Sequence, residues 1–340
     1  MRIVIVGIGG RTGTMFAFEL QKVAEVLGIG RTREVKMIQE KRLYVRKDGK
    51  PFLFEGKVIQ ESEFSKDFLP EMIFFAIKNP VGPAIRYYYQ KIKDEKKLPD
   101  LILSQNGIVA IREAEKTLRD VLGKRIEEVR ITRVSLFNPV DIQESNGKFY
   151  VDYFSPVRIA FSIEDDSKEK GDIKEVFGRA GIEAEEIPWK KVESMEFSKL
   201  FMNLIGMASA SKSLSIEKGL EDKETFKEEI MALREYIKVV RRKKGGFLNF
   251  RHYPIKLFAF LTDFLPIAIL SLFREKLARV ITKEREGKLK GNLDEIDYYN
   301  GEIIKLGKEL GIDTPFNQKI YQKMKERLLY QPPSSVKISQ

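Results

Sequence analysis

The chain contains no cysteine, one histidine and one tryptophan in 340 residues. The missing thiols exclude disulfides, thiol nucleophiles and thiolate metal sites together. His252 stands alone in a basic, aromatic stretch with no acidic neighbour in sequence, which speaks against a His-rich metal site and against a Ser-His-Asp triad. Long apolar runs are also missing. The most apolar stretch, 254–273, is cut by Lys256, Asp263 and Pro266 into pieces shorter than a bilayer core requires. Buried helices or a homodimer contact are its expected uses, and no membrane partner is expected. The N-terminus has no basic leader or cleavage site, so the expected compartment is the cytoplasm. Dense blocks of one charge sign are scarce as well: 61 Lys and Arg are interleaved with 50 Asp and Glu, for a net charge of +11. Such mixing describes a solvated, ion-paired surface rather than a nucleic-acid footprint. The one dense basic run, Arg241 to Lys244, falls where a cationic helix C-terminus is expected.

What is present is organised around the first twenty residues. Arg2-Ile-Val-Ile-Val6 has four consecutive β-branched residues and predicts a strand buried on both faces, as in parallel sheets. It runs into Gly7-Ile-Gly-Gly-Arg-Thr-Gly13, and a helix follows at once. A strand that ends in glycines and opens a helix offers bare N–H groups and a positive helix end to a pyrophosphate. That is the dinucleotide-binding arrangement, with Gly7, Gly9, Gly10 and Gly13 as its cofactor-binding candidates. The spacing is G-x-x-G-x-x-G, because Thr12 stands where the commonest form places a glycine. The turn is therefore expected to be one residue longer.

The same theme repeats along the chain. Ala24 to Arg31 reads as the second strand. Arg31 at its carboxyl end, with Arg33 following, favours a cofactor carrying a 2′-phosphate, NADP, over NAD. Strands joined by Lys47-Asp-Gly49 fill 42–60, and Glu71 to Lys78 is another buried strand, after which Pro80 is expected to start a helix. Leu101 to Gly107 again ends in polar residues and glycine. Ligands gather outside the carboxyl ends of parallel strands, which places Gly7 to Gly13, Arg31, Lys78 and Asn106 on one rim. Segments 129–137, 149–154 and 157–163 are expected to continue the sheet, the last two as an antiparallel addition. A helix over 168–180 and a strand over 182–187 follow. From Met195 the period-2 runs give way to helical ones. The expected fold class is α/β, a Rossmann-type parallel sheet domain over 1–190 followed by an all-α domain over 191–330, with 331–340 a loose tail.

Two helical segments of the second domain put polar groups among apolar neighbours. Lys199 and Asn203 are four apart and share a helix face. A lysine so placed either snorkels to solvent or serves as an acid of depressed pKa. In 293–307, Ile296, Tyr299, Ile303, Leu306 and Leu310 have the spacing of a core-facing stripe. Glu295 is expected at the start of that helix, as a favourable N-terminal charge or as a functional carboxylate.

In this order, Gly7 to Ala17, Arg31, Lys78, Gln105-Asn-Gly107, Phe197-Ser-Lys-Leu-Phe-Met-Asn203, Glu295-Ile-Asp-Tyr-Tyr-Asn-Gly301 and Gly311 to Asn317 resemble the ketopantoate reductase (2-dehydropantoate 2-reductase) family over nearly the whole chain. The resemblance implies NADPH-dependent reduction of a small-molecule 2-oxo acid, 2-dehydropantoate, to pantoate for pantothenate and coenzyme A biosynthesis, with catalysis in a cleft between the two domains. It further implies Lys199 as general acid, Glu295 as partner of a substrate hydroxyl, Asn106 and Asn203 as substrate-binding asparagines, Asn106 also as a cofactor contact, and Arg31 and Lys78 as cofactor-binding cations. No metal is implied. The chain departs from the family in having Met207 where a second Asn is common, and in lacking a serine between Ser271 and Glu295, where Thr282 or Lys283 falls near the family's substrate-contacting Ser. A related reductase of another oxo acid, or an NADP-binding regulatory protein without turnover, are the alternatives.

Overall fold

A computed structural model describes residues 1–145, 148–164, 173–285 and 293–330. It divides into two compact units, Met1–Gln105 with Val109–Val192, and Asn106–Ile108 with Glu193 onward. The tail expected over 331–340 lies outside the described residues, as do the first residues of the helix expected from 168.

The first unit contains β1 (Arg2–Val6), α1 (Arg11–Leu20), β2 (Glu25–Gly30), α2 (Thr32–Lys41), β3 (Leu43–Lys47), β4 (Lys50–Leu53), β5 (Lys57–Gln60), β6 (Met72–Phe75), α3 (Gly82–Ile92), β7 (Asp100–Leu103), α4 (Ala110–Leu122), β8 (Ile131–Leu136), β9 (Asp141–Ser145), β10 (Lys148–Tyr153), β11 (Arg158–Ile163), α5 (Ile173–Arg179) and β12 (Glu183–Glu186). Eight strands form one sheet in the order β12-β11-β8-β7-β6-β1-β2-β5. From β5 to β8 all neighbours run parallel, and β11 joins β8 antiparallel. Because the chain leaves β1 toward β2 and returns to its other side at β6, the order reverses beside β1, which is where doubly wound sheets open a ligand crevice. The apolar content of β1 explains its central place. Ile3 and Ile5 face one layer with Phe16 and Phe177, while Val4 and Val6 face the other with Ile85, Tyr88 and Tyr89. Each such buried side chain contributes roughly 1.5–3 kcal/mol.

Two expectations are corrected here. Residues 149–154 do not extend the main sheet: β10 pairs parallel with β3 and antiparallel with β9, in a second sheet of order β4-β3-β10-β9. Alternation alone cannot say which sheet a strand joins, and here a buried carboxylate helps decide. Glu19 on α1, 1% exposed, accepts from Tyr153 on β10 at 2.5 Å and from Lys47 on β3 at 2.9 Å, and it also binds Lys22. Nor does Pro80 start a helix. Asn79–Pro80 is a cis peptide, and α3 begins at Gly82, where Glu113 accepts from the Val81 and Gly82 N–H groups at 3.1 and 3.0 Å.

The second unit is helical, with α6 (Val192–Leu204), α7 (Met207–Ser211), α8 (Ile216–Glu221), α9 (Lys223–Arg242), α10 (Ile255–Phe264), α11 (Ile267–Leu272), α12 (Arg274–Arg285), α13 (Asn300–Leu310) and α14 (Pro315–Tyr330). The twenty-residue α9 carries two buried acids that serve as caps for its neighbours. Glu229 accepts from Gly206 and Ala208 N–H at 2.8 and 3.0 Å at the start of α7, and Glu235 accepts from Phe316 and Asn317 N–H, both at 2.9 Å, at the start of α14. A carboxylate at a helix N-terminus satisfies orphan donors and meets the positive helix end. Burial nevertheless leaves the Glu235 carboxyl above its ordinary pKa despite these bonds. Among the described residues no helix is long and apolar enough to cross a membrane.

Candidate functional site

The carboxyl ends of β1, β2, β6 and β7 lie side by side, because Val6 pairs with both Ile29 and Phe75, and Phe75 with Leu103. At the end of β1 the glycine turn is shaped by close backbone approach. Gly7 takes a φ of +100°, and a Cβ there would come within 2.8 Å of the Ala76 carbonyl oxygen. A Cβ on Gly13 would lie 2.1 Å from the Gly7 carbonyl oxygen, so α1 rests directly on the turn. The third glycine thus stands six residues beyond the first, and the Gly10 N–H closes the turn on the Gly7 carbonyl at 2.9 Å. The N-terminus of α1 carries no side-chain cap and no acidic residue in its first turn, leaving its positive end for an anion. Gly13→Ala is expected to destabilise this unit by about 3 kcal/mol, because backbone, not a movable side chain, must give way. The denaturant midpoint of Trp189 fluorescence checks it, since the only tryptophan packs on this unit's core. An unchanged midpoint would refute that packing argument.

Arg31 and Lys78 follow β2 and β6 on this rim, and both are exposed. Arg31 is engaged locally: its Nε donates to both carboxylate oxygens of Glu34 at 2.8 and 3.1 Å, and Glu34 also accepts from the Arg31 N–H at 2.9 Å. Glu34 also packs beside the turn, since a Cβ on Gly9 would strike its Cβ and Cγ at 2.7 Å. Sequence reasoning missed this acid. Its signal was a glutamate three residues past the residue before α2, the spacing at which a side chain returns to the helix start.

Two further residues hold the end of β7. Gln105, 4% exposed, donates through Nε2 to the Phe75 and Ile77 carbonyls at 2.8 and 3.1 Å. Arg133, 1% exposed, donates to the Leu103 and Val134 carbonyls at 3.1 and 2.7 Å and to that of Gln105. A buried guanidinium given to backbone carbonyls fixes where the strand ends and the Asn106 segment begins. Nothing in its local sequence, Ile-Thr-Arg-Val, signals this.

Asn106 groups with the helical unit and meets its polar side chains there. Its Nδ2 lies 3.3 and 3.4 Å from the two carboxylate oxygens of Glu295, and its Oδ1 accepts from Asn203 Nδ2 at 3.2 Å. Tyr299 places its hydroxyl 3.4 Å from the same carboxylate. Asn203 and Lys199 are both half-buried on α6, one helical turn apart. Glu295 does not open a helix as expected. It lies in a 3-10 turn, Leu293–Tyr298, and α13 begins only at Asn300. The stripe residues Ile296, Tyr299, Ile303 and Leu306 are buried, but Tyr299 doubles as a polar contact, which apolar periodicity could not reveal. Glu295 is 4% exposed, and a carboxylate so buried needs polar partners. Bonds of 3.2–3.4 Å are longer than optimal and can shorten on a bound donor.

Met207, four residues past Asn203, is 2% exposed at the start of α7. The side chains of Thr282 and Lys283 lie outside the described residues. Among the described residues no group of three or more His, Asp or Glu gathers that could hold a metal ion.

Residues 191–327 match the family model described as ketopantoate reductase PanE/ApbA C terminal, so the resemblance read from the sequence holds over the helical unit. No curated protein is significantly similar to the chain. Among solved structures, D-mandelate dehydrogenase with NADH and anilino(oxo)acetate shares 18% identity at a TM-score of 0.71, covering 96% of this chain and 98% of the other. A PanE/ApbA family ketopantoate reductase from Ralstonia eutropha JMP134 shares 16% at 0.71, with coverage of 96% and 98%. The 2-dehydropantoate 2-reductase from Geobacter metallireducens GS-15 shares 17% at 0.66, covering 96% and 100%. At these identities the likeness is one of fold: a parallel-sheet unit followed by a helical one, as the sequence led us to expect.

Proposed function

We propose that the protein is an NADPH-dependent reductase of a 2-oxo acid, most closely of the 2-dehydropantoate type. The observation that carries this is the chain Asn203–Asn106–Glu295–Tyr299, which gathers polar groups from positions 106, 203, 295 and 299 around one buried carboxylate. The glycine turn supports the cofactor, because its uncapped helix end and close backbone suit a pyrophosphate. Arg31 and Lys78 are the cations offered to the cofactor's phosphates, and the bond from Arg31 to Glu34 sets how strongly a 2′-phosphate is preferred over a 2′-hydroxyl.

A bound nicotinamide supplies the hydride. The protein's own groups do the rest. Lys199 donates a proton to the substrate's C2 oxygen as negative charge develops there, turning the oxo acid into a hydroxy acid. Asn203 and Asn106 offer amide donors to the substrate, and Glu295 accepts from a substrate hydroxyl, the group that distinguishes 2-dehydropantoate from simpler oxo acids.

A related oxo acid is the second reading, favoured by Met207, which brings an apolar side chain to a place where the family often offers an amide. The test is NADPH oxidation followed by absorbance, run beside NADH, with 2-dehydropantoate and with alkyl- and phenyl-substituted 2-oxo acids. Turnover of 2-dehydropantoate with a preference for NADPH is the expected result. Activity on another oxo acid alone selects the second reading, and cofactor binding without turnover on any oxo acid overturns both.

A further inference from the structure

The end of β2 is built around an acid. Glu34, in the first turn of α2, reaches back three residues to accept from the Arg31 N–H at 2.9 Å and from its Nε at 2.8 and 3.1 Å, and the Arg31 Nη2 donates to the same carboxylate. Its stem lies against two glycines. A Cβ on Gly9 would stand 2.7 Å from the Glu34 Cβ and Cγ and 3.4 Å from its carboxyl carbon, and a Cβ on Gly30 would stand 3.7 Å from the Glu34 Cβ. The carboxylate is therefore placed where the glycine turn after β1 meets the end of β2. The segment is also pinned from its other side: Thr32 donates to Gln60 Oε1 at 3.0 Å, and Gln60 ends β5, the strand paired with β2. The Glu34 side chain is 23% exposed and that of Arg31 85%, so the acid is the fixed partner and the cation the movable one.

In a doubly wound sheet this place reads the adenosine ribose: an acid there accepts from the 2′-hydroxyl of NAD, and an arginine accommodates the 2′-phosphate of NADP. This chain has both groups, and they are bonded to each other. We propose that Glu34 is a specificity-determining residue that opens the protein to both cofactors, by occupying the guanidinium a 2′-phosphate needs and by offering its own carboxylate to the ribose hydroxyl of NADH. The proposal rests on the reading that a dinucleotide sits at the glycine turn, and it changes what Arg31 by itself suggested.

Two physical consequences follow from the pairing. Arg31 can serve a 2′-phosphate only by leaving a carboxylate that is already held in place, and the phosphate then lies beside that like charge. Both effects subtract from NADPH. Toward a hydroxyl the same carboxylate is a charged acceptor, and Arg31 can stay paired while it acts. The preference for NADPH is therefore expected to be shallow.

Binding, rather than turnover, tests this. Fluorescence titration of the full chain gives the Kd of NADPH and of NADH in wild type, E34Q, R31Q and the E34Q/R31Q double variant. Adenosine 2′,5′-bisphosphate and 5′-AMP, used as competitors, read the ribose end without the nicotinamide. Glutamine at position 34 keeps an acceptor for the Arg31 N–H, so the fold should persist, checked by helical circular dichroism. In wild type the two Kd values should lie within about 10-fold of each other. E34Q should tighten NADPH by about 10-fold and weaken NADH by about 3-fold, and it should widen the advantage of the bisphosphate over 5′-AMP. R31Q should weaken NADPH alone, and in the double variant the NADPH gain should vanish, because it acts through Arg31. A merely structural role for Glu34 would instead move both cofactors together and persist without Arg31. A wild type that prefers NADPH by more than about 100-fold, or an E34Q variant with an unchanged ratio of Kd values, overturns the proposal and leaves the dinucleotide reading standing. A wild type that binds neither dinucleotide overturns both.

Discussion

Lys199→Ala is expected to lower kcat on the accepted oxo acid by about 10²–10⁴-fold while leaving the cofactor Kd within about twofold of wild type. The split follows from where the ammonium acts. In the proposed reaction it meets charge that develops during reduction, so its loss would be felt in the transition state rather than in cofactor binding. Its place supports the role: Lys199 is half-buried on α6, one turn before Asn203, whose amide reaches Asn106 and through it Glu295. Lys199→Arg sharpens the test. Arginine keeps the charge but does not give up its proton, so it should restore binding-related effects without restoring turnover. Stopped-flow turnover and cofactor fluorescence titration separate the two quantities. A kcat unchanged in Lys199→Ala would sink the assignment of the acid.

The second large effect concerns the fold. Glu19→Gln should destabilise the sheet unit by about 3 kcal/mol at pH 7, read from the denaturant midpoint of Trp189 fluorescence. Glu19 joins α1 to the second sheet through Tyr153 and Lys47, and it is almost wholly buried. Burial by itself raises its carboxyl pKa, but the bonds from Lys22, Tyr153 and Lys47 outweigh that and hold it below the ordinary value of 4.5. A carboxyl lowered in the folded state contributes stability that is complete above its unfolded pKa and disappears as pH falls through the folded one. The difference between wild type and variant should therefore be full at neutral pH and close progressively below about pH 4.5. A gap that stays constant from pH 7 down to acid would show that the charge is not what holds the sheet to the helix.

Residues with strong local preferences were legible from the sequence. The β-branched run of β1, the glycines that follow it and the polar ends of β2, β6 and β7 specify a parallel sheet with its rim, since buried strands and tight turns leave plain marks on composition. Lys199, Asn203 and Glu295 could be singled out because polar groups interrupt apolar helical patterns. The residues that support the site were less visible. Gln105 and Arg133 work by hydrogen bonds to carbonyls that the fold brings to them, and Arg133 has no pattern in its own sequence neighbourhood, whereas Glu34 meets Arg31 at a local spacing that the sequence does carry. The same holds for β10, whose alternation fits either sheet until Glu19 and the pairing with β3 decide.

By itself, then, the sequence determined the alternation of buried strands and helices, the glycine turn at the end of β1 and the change to an all-helical second half, because propensity and periodicity act over a few residues. Only the tertiary structure decided that Asn106 leaves the end of β7 to meet Glu295, that Glu295 sits in a 3-10 turn ahead of α13, and that α10 and α11 keep apolar side chains outward. Asn106 meets partners 97 and 189 residues away, and α10 is held by Arg234 of α9; such contacts are set by packing and by the need to satisfy each buried polar group, and no local pattern records them.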